Sequence, residues 1–280
     1  MRPVEVVPGA VCDIAVPALA SRMAGVHMAG FQGRATSPID FRVIPYPALT
    51  VFLTVGDITL VDGSGAREGG GVVVGLASGG VRGCGRGQVD CLQLRLSPVV
   101  AHAVLGVGPE LGGTVVALEQ LWGRDALRIR EQLYAAGSWE DRFAIAKAAL
   151  TRRSEAGHTV APEVAYCWER MVRNRGRVRV EGLAAEIGWS RKRLWSRFRS
   201  QVGLTPKQAA NLVRFDHAVH RLAAGHAAAR VAADTGYADQ PHLHRDVMAF
   251  TGLTTTAAAV APWLAVDDVA WAGREHISAR

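Results

Sequence analysis

LAAEIGWSRKRLWSRFRSQVGLTP at residues 183–206 and VAADTGYADQPHLHRDVMAFTGLTT at residues 231–255 are two copies of one pattern, about fifty residues apart. In each copy an alanine is followed four residues later by a glycine, then by an aromatic residue, and further on by a leucine. These residues are Ala184, Gly188, Trp189 and Leu194 in the first copy and Ala232, Gly236, Tyr237 and Leu243 in the second. Both copies end in Gly-Leu-Thr.

This arrangement is typical of a helix-turn-helix unit. The alanine lets the first helix lie close to the second, and the glycine takes a sharp bend that a side chain would strain. The leucine then anchors the second helix to the core, and in such units the second helix enters the major groove of DNA. One copy alone is weak evidence, because alanine-rich helices often end in glycine. Two tandem copies favour a pair of DNA readers over ordinary helical hairpins.

Residues 204–225, between the copies, predict one long connector helix. Thr205 is a suitable N-cap, Pro206 suits the first helical position, and Gly225 is a typical terminator. Apolar residues recur between them at helical spacing, at Ala209, Leu212, Val213, Val219 and Leu222. We expect this helix to hold the two readers in a fixed relation.

Positive charge is concentrated in the same part of the chain. Fourteen Lys and Arg residues but only three acidic residues lie between 170 and 230, so this window carries +11 while the whole chain carries +7. A basic domain joined to a mildly acidic one is typical of a protein that binds the phosphate backbone through one part only. The alternative is that the arginines are solvated helix faces, and the tandem pattern makes that alternative the weaker one.

The carboxyl-terminal third resembles the AraC-type transcription regulators over about residues 177–259. The resemblance is carried by GWSRKRL and RFRSQVGLTPK in the first copy and by GYADQPHLHRD in the second. Three residues of the second copy depart from the family pattern: Pro241, Val247 and Thr255. The resemblance implies a non-enzymatic, cytoplasmic regulator that binds double-stranded DNA through two helix-turn-helix units.

The predicted recognition helix of the first reader runs from Ser190, its N-cap, to about Ser200, with Ile187, Leu194 and Phe198 buried. Its outward residues are expected to be Arg191, Lys192, Trp195, Ser196 and Arg199. Arg191 and Lys192 suit guanine, whereas Trp195 suits a thymine methyl group or a sugar. Arg197 and Arg199 are expected to hold phosphate.

The candidate DNA contacts of the second reader are Gln240, His244 and Arg245, and Gln240 is able to pair with adenine. Arg214 on the connector matches a common family arginine, and we expect it to tie the two subdomains together through an acidic residue. Two rigidly joined readers are expected to address neighbouring major-groove segments about 34 Å apart.

The amino-terminal half has a different pattern, which predicts a strand-rich domain followed by helices and an α+β chain overall. Short β-prone runs separated by turn clusters lie between 41 and 96: FRVI, LTVFLTV, ITLV, GVVVGLA and VDCLQLRL. Helices are predicted at 98–104, 115–122, 125–136, 138–153 and 162–173, and Ser138 is the expected N-cap of the fourth. The expected domains are a regulatory domain at 1–154, a linker and connecting helix at 155–176, the reading domain at 177–263 and a tail at 264–280.

This half resembles, through residues 89–106 and the later VVALEQLWG, the sensor-like domain of a group of AraC-type regulators from high-GC bacteria. The resemblance implies a regulatory role through a small-molecule effector or a homodimer, and it identifies no effector. Trp122 and Trp139 are candidates to line an apolar pocket, although tryptophans at such positions are more often core residues.

No catalytic residues, metal site or cofactor are expected. Neither a nucleophile elbow nor a phosphate-cradling loop is present, and His217 and His220 are expected to be surface residues of the connector. The four cysteines are expected to be buried thiols. The alternative is a DNA-repair type of protein with a cysteine alkyl acceptor, for which Cys84 and Cys91 beside RGCGRG are the candidates. Glu5 and Asp13 interrupt the first apolar run, so neither a signal peptide nor a membrane span is expected.

Overall fold

The computed structural model describes residues 2–7, 10–19, 23–54, 58–76, 80–106, 115–157 and 159–271. The strands are β1 Arg2–Val7, β2 Ala10–Ala15, β3 Val26–Ala35, β4 Ile39–Arg42, β5 Leu49–Thr54, β6 Thr59–Val61, β7 Arg67–Gly69, β8 Gly71–Val74, β9 Arg82–Gly85, β10 Gln88–Leu96 and β11 Val115–Ala117. The helices are α1 Pro98–Leu105, α2 Leu118–Trp122, α3 Arg124–Ala135, α4 Trp139–Ala156, α5 Pro162–Arg173, α6 Val180–Glu186, α7 Arg191–Val202, α8 Pro206–Ala223, α9 Ala228–Thr235, α10 Gln240–Thr251, α11 Thr255–Ala259 and α12 Pro262–Ala270. The chain is therefore α+β, as the sequence predicts.

Two sheets form the amino-terminal domain. The larger has the strand order β1-β2-β3-β10-β5-β8-β11 and the smaller has the order β4-β9-β6-β7, and every pairing is antiparallel. The larger sheet has one face toward the helices and the other toward the smaller sheet. This arrangement leaves space for side chains, and for a cavity, between the two sheets.

Strand β10 at the centre of the larger sheet shows how the sequence divides these faces. Successive side chains of a strand point to opposite faces. Leu92, Leu94 and Leu96 are buried in the core shared with the helices. The intervening residues Gln93 and Arg95 line the cavity between the sheets. The run VDCLQLRL therefore has one apolar face, which packs against the helices, and one face toward the cavity, on which Gln93 and Arg95 are polar.

The first three strands were not predicted from the sequence. β3 contains Gly30 and Gly33, which weaken a strand signal. A glycine is needed at position 30 because the ring of Trp139 lies close to the backbone there: a Cβ at Gly30 would be 2.2 Å from that ring. The indole of α4 thus packs directly on the backbone of β3. A local sequence pattern cannot predict this contact, because its two partners are about a hundred residues apart in the chain.

The predicted strands between 41 and 96 correspond to β4, β5, β6, β8 and β10, although Val55 and Ala77, at the ends of two predicted runs, lie outside the described residues. Three local predictions were wrong. The turn cluster DGSGAREGGG at 62–71 contains β7, which pairs with β6, and the turn cluster before residue 88 contains β9, which pairs with β4 and β6. The predicted helix at 115–122 begins with β11, because this β-branched segment pairs with β8 at the sheet edge and only Leu118–Trp122 is helical.

Helices α1 to α4 form the layer on the outer face of the larger sheet, and α5 packs against α7 and α8 of the reading domain. Ser138 caps α4 as predicted, since its hydroxyl accepts a hydrogen bond of 3.1 Å from the amide of Asp141. Helix α4 continues to Ala156, beyond the predicted end, and α5 has the predicted bounds. His158 of the predicted linker lies outside the described residues. Beyond it, the Ala161 amide donates to Gln201 of α7 over 3.0 Å, so the linker is attached to the first reader.

The segment predicted as a tail begins instead with most of helix α12. This helix packs against β1 and β2 of the amino-terminal domain, and it buries Val266, Asp267 and Ala270. The tail prediction was wrong for residues 264–270, because the apolar residues of WLAVDDVAW find their partners on a sheet edge that is remote in sequence. Residues 272–280 of the predicted tail lie outside the described residues.

No single described helix is long and apolar enough to span a membrane. Helix α10 and the segment 255–270 pass that test only as a pair bent by 65°, on length and composition. Leu243, Val247 and Leu264 of this pair are buried in the core of the protein.

An ion pair between Arg142 of α4 and Asp90 of β10 joins the helical layer to the sheet. The side chains are 12% and 7% exposed, and the guanidinium donates over 2.5 and 3.2 Å. We expect Asp90→Ala to lower the free energy of unfolding by about 3–5 kcal/mol, because it leaves a buried arginine without its counterion. Urea denaturation followed by circular dichroism measures this. Asp40→Ala, which breaks the exposed pair with Arg82, is the control and should cause a much smaller loss; equal losses would contradict the assignment.

Candidate nucleic-acid interface and inter-domain cavity

The two repeated sequence patterns fold into the same turn. Gly188 and Gly236 both have left-handed backbones, with φ of +67° and +80°. Ala184 and Ala232 are buried, as the pattern predicts, and each carbonyl accepts a hydrogen bond from the aromatic residue five positions later. These bonds measure 2.9 Å to the Trp189 amide and 3.0 Å to the Tyr237 amide. Glycine is required because other residues are strained at positive φ.

Helix α7 is the recognition helix of the first reader. Ser190 caps it by accepting a hydrogen bond from the Arg193 amide, and the helix ends at Val202, with Gly203 in the left-handed conformation. Leu194 and Phe198 are fully buried, whereas Ile187 is half-buried. All the predicted outward residues are exposed: Ser190, Arg191, Lys192, Trp195, Ser196, Arg197 and Arg199.

The arginines of α7 are partly organised by their neighbours. Arg191 forms an exposed ion pair of 3.0 Å with Glu181 of α6. Arg199 lies over the Trp195 ring at 5.3 Å. Arg193, which the sequence analysis did not select, stacks on Trp189 at 4.5 Å and is exposed. Its signal in the sequence is the spacing of four residues from Trp189, which brings an arginine over the aromatic residue of the turn.

Helix α10 is the recognition helix of the second reader. Asp239 caps it by accepting a 2.7 Å hydrogen bond from the His242 amide. Gln240 and Arg245 are exposed, whereas His244 is half-buried. The departures from the family pattern fit this helix. Pro241 lies in its first turn, where no amide donor is needed, and Val247 is fully buried.

The connector helix α8 holds the two readers together. It begins with a capping box between Thr205 and Gln208. In its centre Arg214 lies over the Tyr237 ring at 4.4 Å and pairs with Asp246 of α10 at 3.7 Å. The prediction that Arg214 ties the subdomains together through an acidic residue is therefore confirmed. One guanidinium contacts both the turn and the recognition helix of the second reader.

Comparison with known families agrees with this geometry. The family described as "Helix-turn-helix domain" matches residues 183–258, which include both readers and the connector. Residues 183–258 therefore form a helix-turn-helix domain, the type of domain that binds DNA. No curated protein matches this sequence.

Among solved structures, the chain is distantly similar to ToxT from Vibrio cholerae O395, with 9% identity, 85% of this chain and 98% of that chain covered, and a TM-score of 0.47. A structure of unsaturated fatty acid bound wild-type ToxT from Vibrio cholerae strain SCE256 gives 10% identity, 84% and 94% coverage, and a TM-score of 0.48. The AraC-like transcriptional activator CuxR gives 14% identity, 69% and 75% coverage, and a TM-score of 0.33.

The cysteines of the chain are mostly inaccessible. Cys12, Cys91 and Cys167 are buried and Cys84 is half-buried. Burial raises the pKa of Cys91 to about 12 and those of Cys12 and Cys167 to about 11. Burial therefore makes these three thiols poor nucleophiles at neutral pH. The alkyl-acceptor alternative is not favoured. No group of three potential metal ligands occurs among the described residues.

A cavity of about 150 Å³ lies where both sheets meet the DNA-binding domain. Its lining is mainly apolar and includes Phe31, Ile39, Phe41, Phe52, Val89, Phe215, Trp263 and Val266. The charged residues in its lining are Arg42, Arg95, Asp216 and Asp267. The tryptophans proposed from the sequence do not line it. Trp122 is a core residue that donates to the Val104 carbonyl over 3.1 Å, and Trp139 packs on β3.

Neither connector histidine is a free surface residue. The side chain of His220 is only 19% exposed, because it reaches Asp267 of α12 at 3.2 Å. This contact corrects the surface prediction, and it depends on α12, which the sequence analysis did not anticipate. His217 is half-buried 3.5 Å from Arg175. Burial, together with the charges of Arg175 and Arg221, lowers the pKa of His217 to about 4.

The lowered pKa of His217 predicts a loss of stability in acid. The ordinary histidine pKa is about 6.5, so the unfolded chain binds more protons than the folded one between that pH and about 4. The free energy of unfolding should therefore fall as the pH decreases through this window. His217→Gln should reduce the fall measured by urea denaturation, and the exposed His226→Gln is the matched control. If the free energy of unfolding of the His217→Gln variant fell with pH as much as that of the unchanged protein, His217 would not be the group responsible.

Proposed function

We propose that this chain is an AraC-type transcription regulator that recognises an asymmetric DNA site with helices α7 and α10, without catalysis and in the cytoplasm. The observation that carries this proposal is the shared geometry of two glycine turns, each placing an exposed, capped helix beside a common connector. The Arg214 contacts support a fixed spacing of the two readers, about 34 Å along the duplex. A rigid pair of unequal readers selects a site without two-fold symmetry.

In the first reader, the start of α7 approaches the bases. Arg191 and Lys192 are exposed in its first turn, where they can reach guanine N7 and O6. To contact a base, Arg191 must leave its ion pair with Glu181. Because that pair is exposed, breaking it costs little free energy. Trp195 and Ser196 follow one turn later, with Trp195 suited to a thymine methyl group or a sugar.

Phosphate contacts position the reader on the duplex. Ser190, Arg197 and Arg199 lie at the ends or sides of the exposed face of α7, and Arg193 joins them. Stacking on Trp195 and Trp189 limits the motion of Arg199 and Arg193, which reduces the entropy lost on binding. In the second reader, Gln240 is proposed to pair with adenine, whereas Arg245 and the partly exposed His244 contact the backbone or a base edge.

The amino-terminal domain is proposed to regulate DNA binding through a small-molecule effector in the inter-domain cavity, with a homodimer as a further means of control. The cavity supports this role because its lining comes from both sheets and from α8 and α12 of the DNA-binding domain. A ligand there contacts both domains and can shift the equilibrium between their arrangements.

Selection from a randomised duplex pool by the full-length protein at about 150 mM salt tests the proposal. We expect enrichment of one asymmetric motif about two helical turns long. Salt-sensitive binding with no enriched motif would overturn sequence-specific recognition. A palindromic motif, twice as long, would indicate that a dimer is the recognising species.

Single substitutions on α7 separate base contacts from phosphate contacts. We expect Lys192→Ala to lower affinity for the selected site by about 1–3 kcal/mol and to relax discrimination at one base pair. Arg199→Ala should weaken all sequences alike and reduce the salt slope by about one. Fluorescence anisotropy against the site and its single mismatches measures both. Arg128→Ala on α3 is the control for a remote exposed arginine, and identical effects of the first two variants would contradict the division.

A further inference from the structure

The cavity wall formed by β10 and α12 contains hydrogen-bond donors without acceptors. The guanidinium of Arg95 is enclosed by two aromatic rings, with Tyr46 at 4.0 Å and Trp271 at 4.2 Å. Its Nη2 donates to Asp267 over 2.8 Å. Its Nε and Nη1 are buried and have no acceptor among the residues that the structure describes. Buried donors without acceptors are unfavourable and call for a partner.

A second donor in the cavity lining has the same property. The indole Nε1 of Trp263, near the start of α12, is buried and meets no acceptor within the described part of the chain. The two carboxylates in the lining, Asp267 and Asp216, are already engaged. Both carboxylate oxygens of Asp267 are used, one by Arg95 and the other by His220. Asp216 in turn is held 3.6 Å from the other nitrogen of His220. Three buried donors, Arg95 Nε, Arg95 Nη1 and Trp263 Nε1, thus remain without an acceptor near this end of the cavity, within the described part of the chain.

The two arginines and two aspartates in the lining balance in charge, and the unused donors of Arg95 are what favour an acidic group there. Arg42 is the other cationic lining residue, and its Nη1 donates to the Thr251 carbonyl over 2.8 Å. The two carboxylates in the lining are each paired with a donor, as described above. An incoming acidic group would meet one guanidinium with unused donors, enclosed by aromatic rings that exclude water and strengthen the electrostatic attraction.

We propose that the cavity binds a small monocarboxylate with an apolar body, and that Arg95 receives its carboxylate. The apolar body would lie among Phe31, Phe52 and Val89, which line the cavity from the larger sheet, the sheet that also carries Arg95. A cavity of about 150 Å³ suits a body about the size of one six-membered ring. This inference rests on the proposed effector function and names the chemistry of the effector.

The same carboxylate acts on the DNA-binding domain, because a ligand held by the unused Nε and Nη1 competes with Asp267 for the single positive charge of the Arg95 guanidinium. Asp267 belongs to α12, which follows the second reader and packs on β1 and β2. A ligand that takes over part of the guanidinium weakens the attachment of α12 to the sheet. It also frees Asp267 to interact with His220 of the connector alone. Binding in the cavity thereby changes how the two domains are joined.

Calorimetric titration of the full-length protein, with no DNA present, tests the ligand class. The probes are benzoate, phenylacetate and isovalerate, each beside its neutral alcohol. We expect at least one acid to bind, and to bind about tenfold to a hundredfold more tightly than its alcohol, as a charge-assisted hydrogen bond provides. Equal binding of acid and alcohol, or no binding of any acid, overturns the proposal.

Substitutions at the Arg95–Asp267 pair distinguish competition from simple packing. Asp267→Asn should raise the affinity for the bound acid, because it removes a competing carboxylate and leaves an amide for His220. Arg95→Met alone leaves Asp267 buried without its arginine and is at risk of not folding. The double variant Arg95→Met with Asp267→Asn avoids this, and it should bind acid and alcohol equally. Arg128→Met is the control. An Asp267→Asn variant that binds the acid no better, or a double variant that keeps the preference, overturns the proposal.

Hydrogen exchange of the full-length protein tests the link to the DNA-binding domain. We expect the amides of α12 to exchange faster when the acid is bound, whereas those of α4 are unchanged. Slower or unchanged exchange in α12 would overturn the competition with Asp267. None of these measurements involves DNA, so their failure is separate from a failure of the selection experiment, which tests recognition alone.

Discussion

The packing of the connector helix α8 is the constraint on which the rest of the molecule depends. Its buried residues form the core of both readers, and Arg214 at its centre contacts the turn and the recognition helix of the second. Its other contacts reach beyond DNA binding, because Phe215 and Asp216 line the inter-domain cavity and His220 reaches α12. One helix therefore sets the spacing of the two helix-turn-helix units and forms part of the wall of the inter-domain cavity.

This arrangement places sensing and reading close together. The amino-terminal sheet and the helices that follow the second reader share a buried ion pair, Arg95–Asp267, as well as apolar core. Buried ion pairs contribute little net stability but are strongly destabilising when one partner is removed or diverted. They are thus suited to a junction that holds in one state and loosens in another. The exposed pair between Arg191 of α7 and Glu181 has the opposite property, since an exposed ion pair contributes little stability and is easily exchanged for another partner.

Much of the reading domain was predictable from particular residues. Ala184, Gly188 and Leu194 repeat at Ala232, Gly236 and Leu243, and each performs in the structure the packing or turning role that its chemistry requires. Ser190, Thr205 and Ser138 all cap the helices predicted for them. Such features depend on neighbours within a few turns of the chain, so a local pattern contains the necessary information. The same reasoning failed for β1 to β3 and for β11, which obtain their partners across the sheet.

The sequence by itself determined the two helix-turn-helix units, the connector between them, the concentration of positive charge and the strand-rich character of the first domain. Only the tertiary structure decided that residues 264–270 form a helix rather than a tail, that His220 is engaged rather than exposed, and that Arg95 and Trp263 meet at one cavity wall. The physical reason is the range of the interactions. Periodicity, capping and turns act over a few residues, whereas Arg95 and Asp267 are brought together by the packing of α12 against a sheet whose strands lie far away in the sequence.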